Sequence, residues 1–585
     1  MHEAGSRPAR RGLRAAVALV AGGLLCPLPA LALELGALTI EGVTGALEEN
    51  IRARLSLAHH PDEEPLTEAR LSWLLRQAPG EVLGALEPFG YYEPELTITP
   101  ARRGDTVDVT IAVARGEPVR VASQSVSIRG EAAGDPVLGE LRGNFRPAVG
   151  QPLDHRVYEA SKGAIQRALL ARGYFDAEPG EQRVAVERAR HAADIHLEWD
   201  SGERHAFGPT RFVGSHIDEA VLRRHLPWDE GEPFTQEKLV ALHQALAALD
   251  YFALVDIQPR PEQGEGTVAP IEVGLGAAKR SAYSAGISYG TDHGAAIELG
   301  LERRYVNRRG HKFDTDLMLG QQRSLANTVY RIPALSGPVG WWSAGLELRE
   351  EQVADFGRTE TAELVLARSG KLAAYLFSAE LHVLRQRTDL LASTLVYPQL
   401  TVEHSHGDHP LYPRHGFGWS VTLRAGHAAI GSDADFAQAV ASATWIRPFG
   451  ERRRLILRGS AGSTWTDEFG ELPPTLRFYA GGDRSVRGYG YQEIGPRDAD
   501  GRVLGGKHLL AAGAELEHMF TDAWGAAVFV DAGDAFESDD FDARIGVGAG
   551  LRWRSPVGPV RVDLGVGLDD PERAVRLHLT IGPEL

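Results

Sequence analysis

Two periods of apolar residues divide the chain. As far as about residue 277, leucines and alanines recur at helical spacing between short alternating runs. Beyond about residue 280, apolar and polar positions alternate almost to the last residue. In "TQEKLVALHQALAALDYF" the residues Leu239, Leu242, Leu246 and Leu249 fall on one face of a helix, with Thr235 as its N-cap. "SHIDEAVLRRHL" (215–226) predicts a capped helix before it, and "TRFVG", "VDIQPRP" and "VAPIEVGL" read as strands around the pair. In "AVRLHLTI", by contrast, Val575, Leu577, Leu579 and Ile581 share one face and Arg576, His578 and Thr580 the other. In "VRVDLGV" Val560, Val562, Leu564 and Val566 stand opposite Arg561 and Asp563.

The helical half repeats itself. "FGYYEPELTI" (89–98), "RGYFDAEPGE" (172–181) and "LDYFALVDIQ" (249–258) each follow a Leu/Ala-rich helical stretch, and their first tyrosines, Tyr91, Tyr174 and Tyr251, lie 83 and 77 residues apart. So long a period means tandem domains rather than a solenoid of small units. Each repeat reads as strand, helix, helix, strand, strand, with the aromatic residues packing the second helix onto the sheet. The expected division is 33–116, 117–204 and 205–277 for the three repeats and 278–585 for the alternating region.

Residues 1–32 read as a secretory signal peptide: Arg7, Arg10, Arg11 and Arg14, an apolar run from Ala15 to Leu31, and the small-x-small site Ala30-Leu31-Ala32, with cleavage expected after Ala32. The one cysteine, Cys26, falls within it, so the mature chain is expected to have no disulfide, thiolate nucleophile or cysteine metal site. The formal charge is -17, and losing the leader makes it more negative. That balance argues against nucleic-acid binding, which needs clustered Lys and Arg. No apolar run after Ala32 approaches the ~18–20 residues of a membrane-spanning helix. A membrane form would therefore be a barrel, and about 300 residues at roughly twenty per strand and loop gives about sixteen strands. The fold class expected is three α+β domains of βααββ type followed by an all-β transmembrane barrel of about 16 antiparallel strands.

Three such domains ahead of a barrel, with "GGDRSVRGYGYQEIGP" (481–496) late in the chain, resemble the outer-membrane assembly superfamily of BamA, TamA and the two-partner secretion transporters. In that resemblance the repeats are POTRA-like domains in the periplasm and the barrel sits in the outer membrane. Three repeats and this length are closest to the TamA branch. The resemblance implies that the loop between the eleventh and twelfth strands folds into the lumen and that the arginine of Val486, Arg487, Gly488 and Tyr489 meets an acidic residue on the wall. Asp531 in "VFVDAGDAF" is the first candidate; Asp563, Glu515 and Glu517 have inward parity too. It also implies a lateral seam between the first strand, with Gly286, Ser288 and Tyr289, and the last, with Leu577 and Leu579. Its implied partners are unfolded outer-membrane protein clients such as autotransporters, outer-membrane lipid and a TamB-like protein anchored in the inner membrane. The function implied is insertion or secretion of β-barrel clients, without cofactor or enzymatic step. An intermembrane phospholipid transport component and a two-partner secretion pore are the alternatives.

A reading of another class rests on "HSHGDH" (404–409), which spells the H-x-H-x-D-H ligand pattern of metallo-β-lactamase-like hydrolases. Against it, the surroundings lack α/β alternation, and "DHPLYPRHG" (408–416) matches the D-x-P-x-x-P-x-x-G hairpin of the same superfamily. The glycines around Arg487 are followed by no lysine at P-loop spacing. No G-x-S-x-G elbow or paired carboxylates for acid/base work stand out. The site expectation is accordingly no catalytic residue and no metal ligand, and "ERRRL" (451–455) reads as a charged hairpin end.

Overall fold

The computed structural model describes residues 33–60, 66–290, 294–321, 323–353, 356–538, 540–556, 558–571 and 573–582. The leader, Cys26 and the cleavage site after Ala32 lie outside the described residues. So do the side chains of Ser288 and Tyr289, although the backbone of their strand is described.

The helical half forms three three-stranded sheets of one topology. In the first, Thr106–Ala114 is central, parallel to Glu34–Glu41 and antiparallel to Glu95–Arg103. In the second, Ala192–Asp200 lies between Arg120–Arg129 and Glu178–Glu187. In the third, Val268–Ala277 lies between Ala206–Val213 and Phe252–Pro259. Two helices follow the first strand each time, and each central strand buries four alternate residues: Val107, Val109, Ile111 and Val113; Ala193, Ile195, Leu197 and Trp199; Ala269, Ile271, Val273 and Leu275. Period-two patterning sends these apolar side chains to one face, where the helices cover them. Three of the helices start on side-chain caps: Thr67 accepts from the Arg70 N–H, Asp135 from Val137 and Asp154 from Arg156.

The helix expected over 215–226 is only one turn, Glu219–Arg223. Ser215 accepts the Ile217 N–H and donates to its carbonyl, and the Asp218 N–H goes to the Arg308 carbonyl 2.7 Å away, so the backbone ahead of Glu219 is already committed to a turn. By contact density the chain forms two compact units, one of residues up to 205 with 233–235, the other of 206–232 with 236–585. The third small sheet thus shares a unit with the alternating region. The Tyr251 hydroxyl donates to the Gly310 carbonyl, Arg304 pairs with Asp250, and Arg224 donates to the carbonyls of Leu335 and Gly337. These bonds fasten the domain to the turns after the second and fourth strands of the large sheet.

That sheet has sixteen strands, each antiparallel to its neighbour in chain order, from Ser281–Gly290 to Val575–Ile581. Among the described residues no ladder joins the first strand to the last. Its alternation is inverted with respect to water. On Trp524–Phe536 the residues Ala527, Phe529 and Asp531 are buried while Val528 and Val530 are exposed. On Val575–Ile581 all four aliphatics are exposed and His578 is buried.

Candidate functional site

The eleventh strand, Arg453–Trp465, and the twelfth, His508–Met519, are joined by residues 466–507, which carry the glycine-rich stretch. Short bridges between Phe478 and Gly506, Ala480 and Ile494, and Arg497 and Val503 give the loop its own frame. Val486 packs with Ala480, Tyr489 and Ile494 as a small apolar cluster at its base. Gly488 has φ +95, and a Cβ there would lie 2.5 Å from the backbone carbon of Val566. Only glycine permits so close an approach of loop backbone to the fifteenth strand, Gly558–Gly567.

That approach delivers Arg487, only 2% exposed, to three carboxylates. Its Nε donates to Asp531 Oδ2 at 2.7 Å and Nη2 to Oδ1 at 3.1 Å, a bidentate grip on the thirteenth strand, Trp524–Phe536. Nη1 donates to Glu515 at 2.8 Å and to Asp563 at 3.0 Å. The Arg487 backbone N–H also points to Asp531, and the guanidinium lies 3.5 Å from the centre of the Phe529 ring. Arg552 on the fourteenth strand, Arg544–Ser555, takes the other oxygens, Glu515 at 2.6 Å and Asp563 at 2.7 Å. Arg458 stands 3.6 Å from Glu515 and 3.9 Å from Asp531. Two buried guanidiniums and the half-buried Arg458 therefore face three buried carboxylates, the pairing under which buried charge is tolerable.

Of the four acidic candidates, three gather around Arg487. Glu517 instead holds Arg454, with contacts of 2.9 and 3.2 Å. Arg552 and Phe529 were not anticipated, although the same alternation marks both: Arg552 stands between Leu551 and Trp553, two apolar residues that face outward. Tyr489, from the same motif, accepts the Asp569 N–H at 3.2 Å and lies against Gly567. Arg484 is exposed.

The loop also grips the last strand. The Gly488 N–H donates to His578 Nε2 at 3.0 Å, while Nδ1 of the same ring meets the Asp483 carboxylate. Arg576 donates to Glu493 at 2.9 Å. A neutral imidazole with its proton on Nδ1 satisfies both His578 contacts, donating to the carboxylate and accepting the amide. Leu577 and Leu579 point the opposite way, 68% and 57% exposed. The first strand is equally bare: Gly286 is exposed, and Tyr283 and Ile287 are 77% and 88% exposed.

The residues of "HSHGDH" serve a turn. The eighth strand, Ala392–Gly407, ends inside the motif, and His404 Nδ1 meets the Ala374 carbonyl. Asp408 accepts the N–H groups of Arg414 and His415, and His409 accepts those of Leu411 and Tyr412. Among the described residues no group of three His, Cys, Asp or Glu converges as a metal site would require.

A sixteen-stranded antiparallel sheet with charge gathered on one face and aliphatics bared on the other is the architecture of a transmembrane β-barrel. Residues 306–584 match the Omp85 superfamily domain, 37–115 the family described as POTRA domain TamA domain 1, and 206–271 the POTRA family described as surface antigen variable number repeat. The chain is 23% identical over 373 residues to the outer membrane protein assembly factor BamA of Nitratidesulfovibrio vulgaris, covering 60% of this chain and 47% of that protein. It is 22% identical over 546 residues to BamA of Neisseria meningitidis, covering 81% and 68%. It thus spans about half the length of the first of these relatives. The crystal structure of BamA from Haemophilus ducreyi lacking POTRA domains 1–3 superposes with a TM-score of 0.62 at 16% identity, over 79% of this chain and 99% of that one. The chain thus carries an Omp85 superfamily domain over residues 306–584, with POTRA domains ahead of it. It is an outer-membrane protein whose N-terminal domains stand in the periplasm, and members of that superfamily such as BamA are assembly proteins rather than enzymes.

Proposed function

We propose that this protein helps insert or secrete β-barrel clients, autotransporters among them, and that it belongs to the TamA-like branch of its superfamily. The observation that carries this reading is the double attachment of the 466–507 loop. Arg487 ties it to the twelfth, thirteenth and fifteenth strands, while Gly488, Asp483 and Glu493 tie it to His578 and Arg576 of the last strand. The last strand has a single hydrogen-bonded neighbour among the described residues, so the loop is its second anchor. Release of the loop frees that strand at the seam lined by Gly286, Ser288, Tyr289, Leu577 and Leu579. An edge exposed within the membrane is a template, because backbone N–H and C=O groups facing lipid gain by pairing with an incoming strand. Client folding supplies the drive, and no covalent step is needed.

The match of residues 37–115 to the POTRA family named for TamA supports the TamA-like assignment. Residues 117–204, with the same strand order as the flanking units, are the middle POTRA domain of this reading. Its partner is a TamB-like inner-membrane-anchored protein that adds a strand to the first domain, where Glu34–Glu41 and Glu95–Arg103 are both edge strands. The seam is tested by Gly286→Cys with Leu579→Cys. Oxidation of the pair is expected to stop surface display of an autotransporter and reduction to restore it; display that continues with the disulfide formed overturns the seam. Depletion that leaves display intact but unbalances phospholipid between the membranes moves the assignment to lipid transport.

A further inference from the structure

The "ERRRL" segment and the "DHPLYPRHG" hairpin meet at the periplasmic end of the barrel, and their meeting builds a site that client assembly does not require. The hairpin joins the eighth and ninth strands, Ala392–Gly407 and Gly416–Gly426. Its tip residue Tyr412 lies between two guanidiniums, Arg454 of the eleventh strand 3.6 Å from the ring centre and Arg554 of the fourteenth strand 3.5 Å from it. Arg454 also donates to the Pro413 carbonyl at 2.6 Å. From the ninth strand to the fourteenth is five strand spacings, about 24 Å along the sheet at ~4.8 Å each. A contact of 3.5 Å between these places is reached only through the interior. The hairpin therefore crosses the mouth of the barrel instead of following its rim.

Behind the crossing lies a cavity of about 260 Å³ lined by Tyr412 and five arginines, Arg414, Arg452, Arg453, Arg454 and Arg554. Glu451 and Asp522 are its only acidic lining residues among those described. Arg454 is spent on Glu517, but the other four have no ion-pair partner among the described residues. Arg414 and Arg452 reach only carbonyls, of Gly450 and Phe520, and the buried Nε of Arg554 has no acceptor. Around Arg487 guanidiniums and carboxylates are matched; here the positive charge is left over. Tyr412, Arg414 and Arg554 also wall an adjoining cavity of about 440 Å³, which Leu411 and Pro559 make apolar. Trp553, next to Arg554, stacks on Trp524 at 5.5 Å, and both face outward at this end of the barrel. Such aromatic pairs sit at the level of the lipid headgroups.

We infer that this arginine-lined cavity is a binding site for a phosphate ester, with the apolar cavity taking the ester's hydrocarbon part. A tetrahedral phosphate presents its oxygens in three dimensions and can meet more guanidinium forks at once than a planar carboxylate, whose two oxygens lie in one plane. The depth of the cavity matches the phosphate layer of the periplasmic leaflet, where basic pockets recognise lipid headgroups. The inference is independent of the client reading, since it concerns binding alone.

Calorimetry on the full chain in a nonionic detergent tests it with three probes: dihexanoyl-phosphatidylglycerol, inorganic phosphate and tetraglutamate. The lipid is expected to bind, and to bind about ten-fold more weakly to Arg554→Ala, the scale of one charge-assisted hydrogen bond. Because Arg554 also clasps Tyr412, Arg453→Gln is the second variant: its side chain is exposed and bonds nothing, so it should weaken binding while leaving heat-modifiable gel mobility unchanged. Inorganic phosphate binding as tightly as the lipid retains the phosphate site and assigns it to the free ion. Absence of binding by both phosphate probes, affinities unchanged in both variants, or tighter binding of tetraglutamate overturns the inference, the last in favour of an acidic peptide.

Discussion

The central strands of the periplasmic repeats and the thirteenth strand of the barrel share one alternation and use it in opposite senses. Ala192–Asp200 buries Ala193, Ile195, Leu197 and Trp199 beneath helices and leaves its polar residues to water. Trp524–Phe536 buries Asp531 beside Phe529 and exposes Val528 and Val530. The pleat is identical, and the difference lies in what surrounds it. In water the apolar face must be hidden. In lipid the apolar face is the one shown, and polar side chains are confined to the interior, where they must find partners. Period two therefore reports a strand with two unlike faces, and the side chains gathered on the buried face report which solvent lies outside.

The strongest way to break this contrast is to remove charge from the barrel's interior. Arg487→Ala leaves Asp531, Glu515 and Asp563 with one counter-charge fewer, and breaking a buried ion pair from one side costs about 3–5 kcal/mol. We expect the loop to undock, seen as new protease cleavage within residues 483–505; a digestion pattern unchanged from wild type would refute the clamp. A sharper contrast comes from one substitution in two places. Val528 and Val240 are 57% and 49% exposed. Val528→Arg places a charge against lipid and should cost about 2–4 kcal/mol near the bilayer midplane, whereas Val240→Arg on a helix in water should stay within about 0.5 kcal/mol. Urea unfolding of both variants in one detergent reads the difference, and equal losses would mean that Val528 does not face lipid.

The smallest effect belongs to the periplasmic hairpin, where neither lipid nor a packed core excludes water. Partial burial of Asp408 opposes its ionisation, but the N–H groups of His415 and Arg414 outweigh it and hold the carboxyl below its ordinary value. A lowered carboxyl contributes stability that is complete above its unfolded pKa and fades as pH falls through the folded one. Amide protection at Arg414 and His415 should thus persist at mildly acidic pH and fail only in stronger acid, and Asp408→Asn should abolish that acid step.

Much of the interior could be read along the chain because parity needs no tertiary information. Asp531, Glu515 and Asp563 alternate with apolar neighbours, and so does Arg552, which the same rule would have found. Parity is silent about pairing. Glu515 and Glu517 have equal parity on one strand, yet only the first reaches Arg487, while the second holds Arg454 and Arg552 stands near both, because the height of each along the wall decides which guanidinium it meets. The helix expected over 215–226 shrank to Glu219–Arg223 for a related reason: the Arg308 carbonyl, in a turn of the barrel, takes the Asp218 N–H.

By itself the sequence determined the three repeats, the strand alternation of the second half and the inward parity of its charges, all of which follow from the local geometry of helix and strand. Tertiary structure alone decided that Gly488 should meet His578, 90 residues away, and that Tyr412 should lie between Arg454 and Arg554. These contacts join elements that are not neighbours in the sheet. The path of a loop through the barrel interior sets them, and no residue period encodes that path.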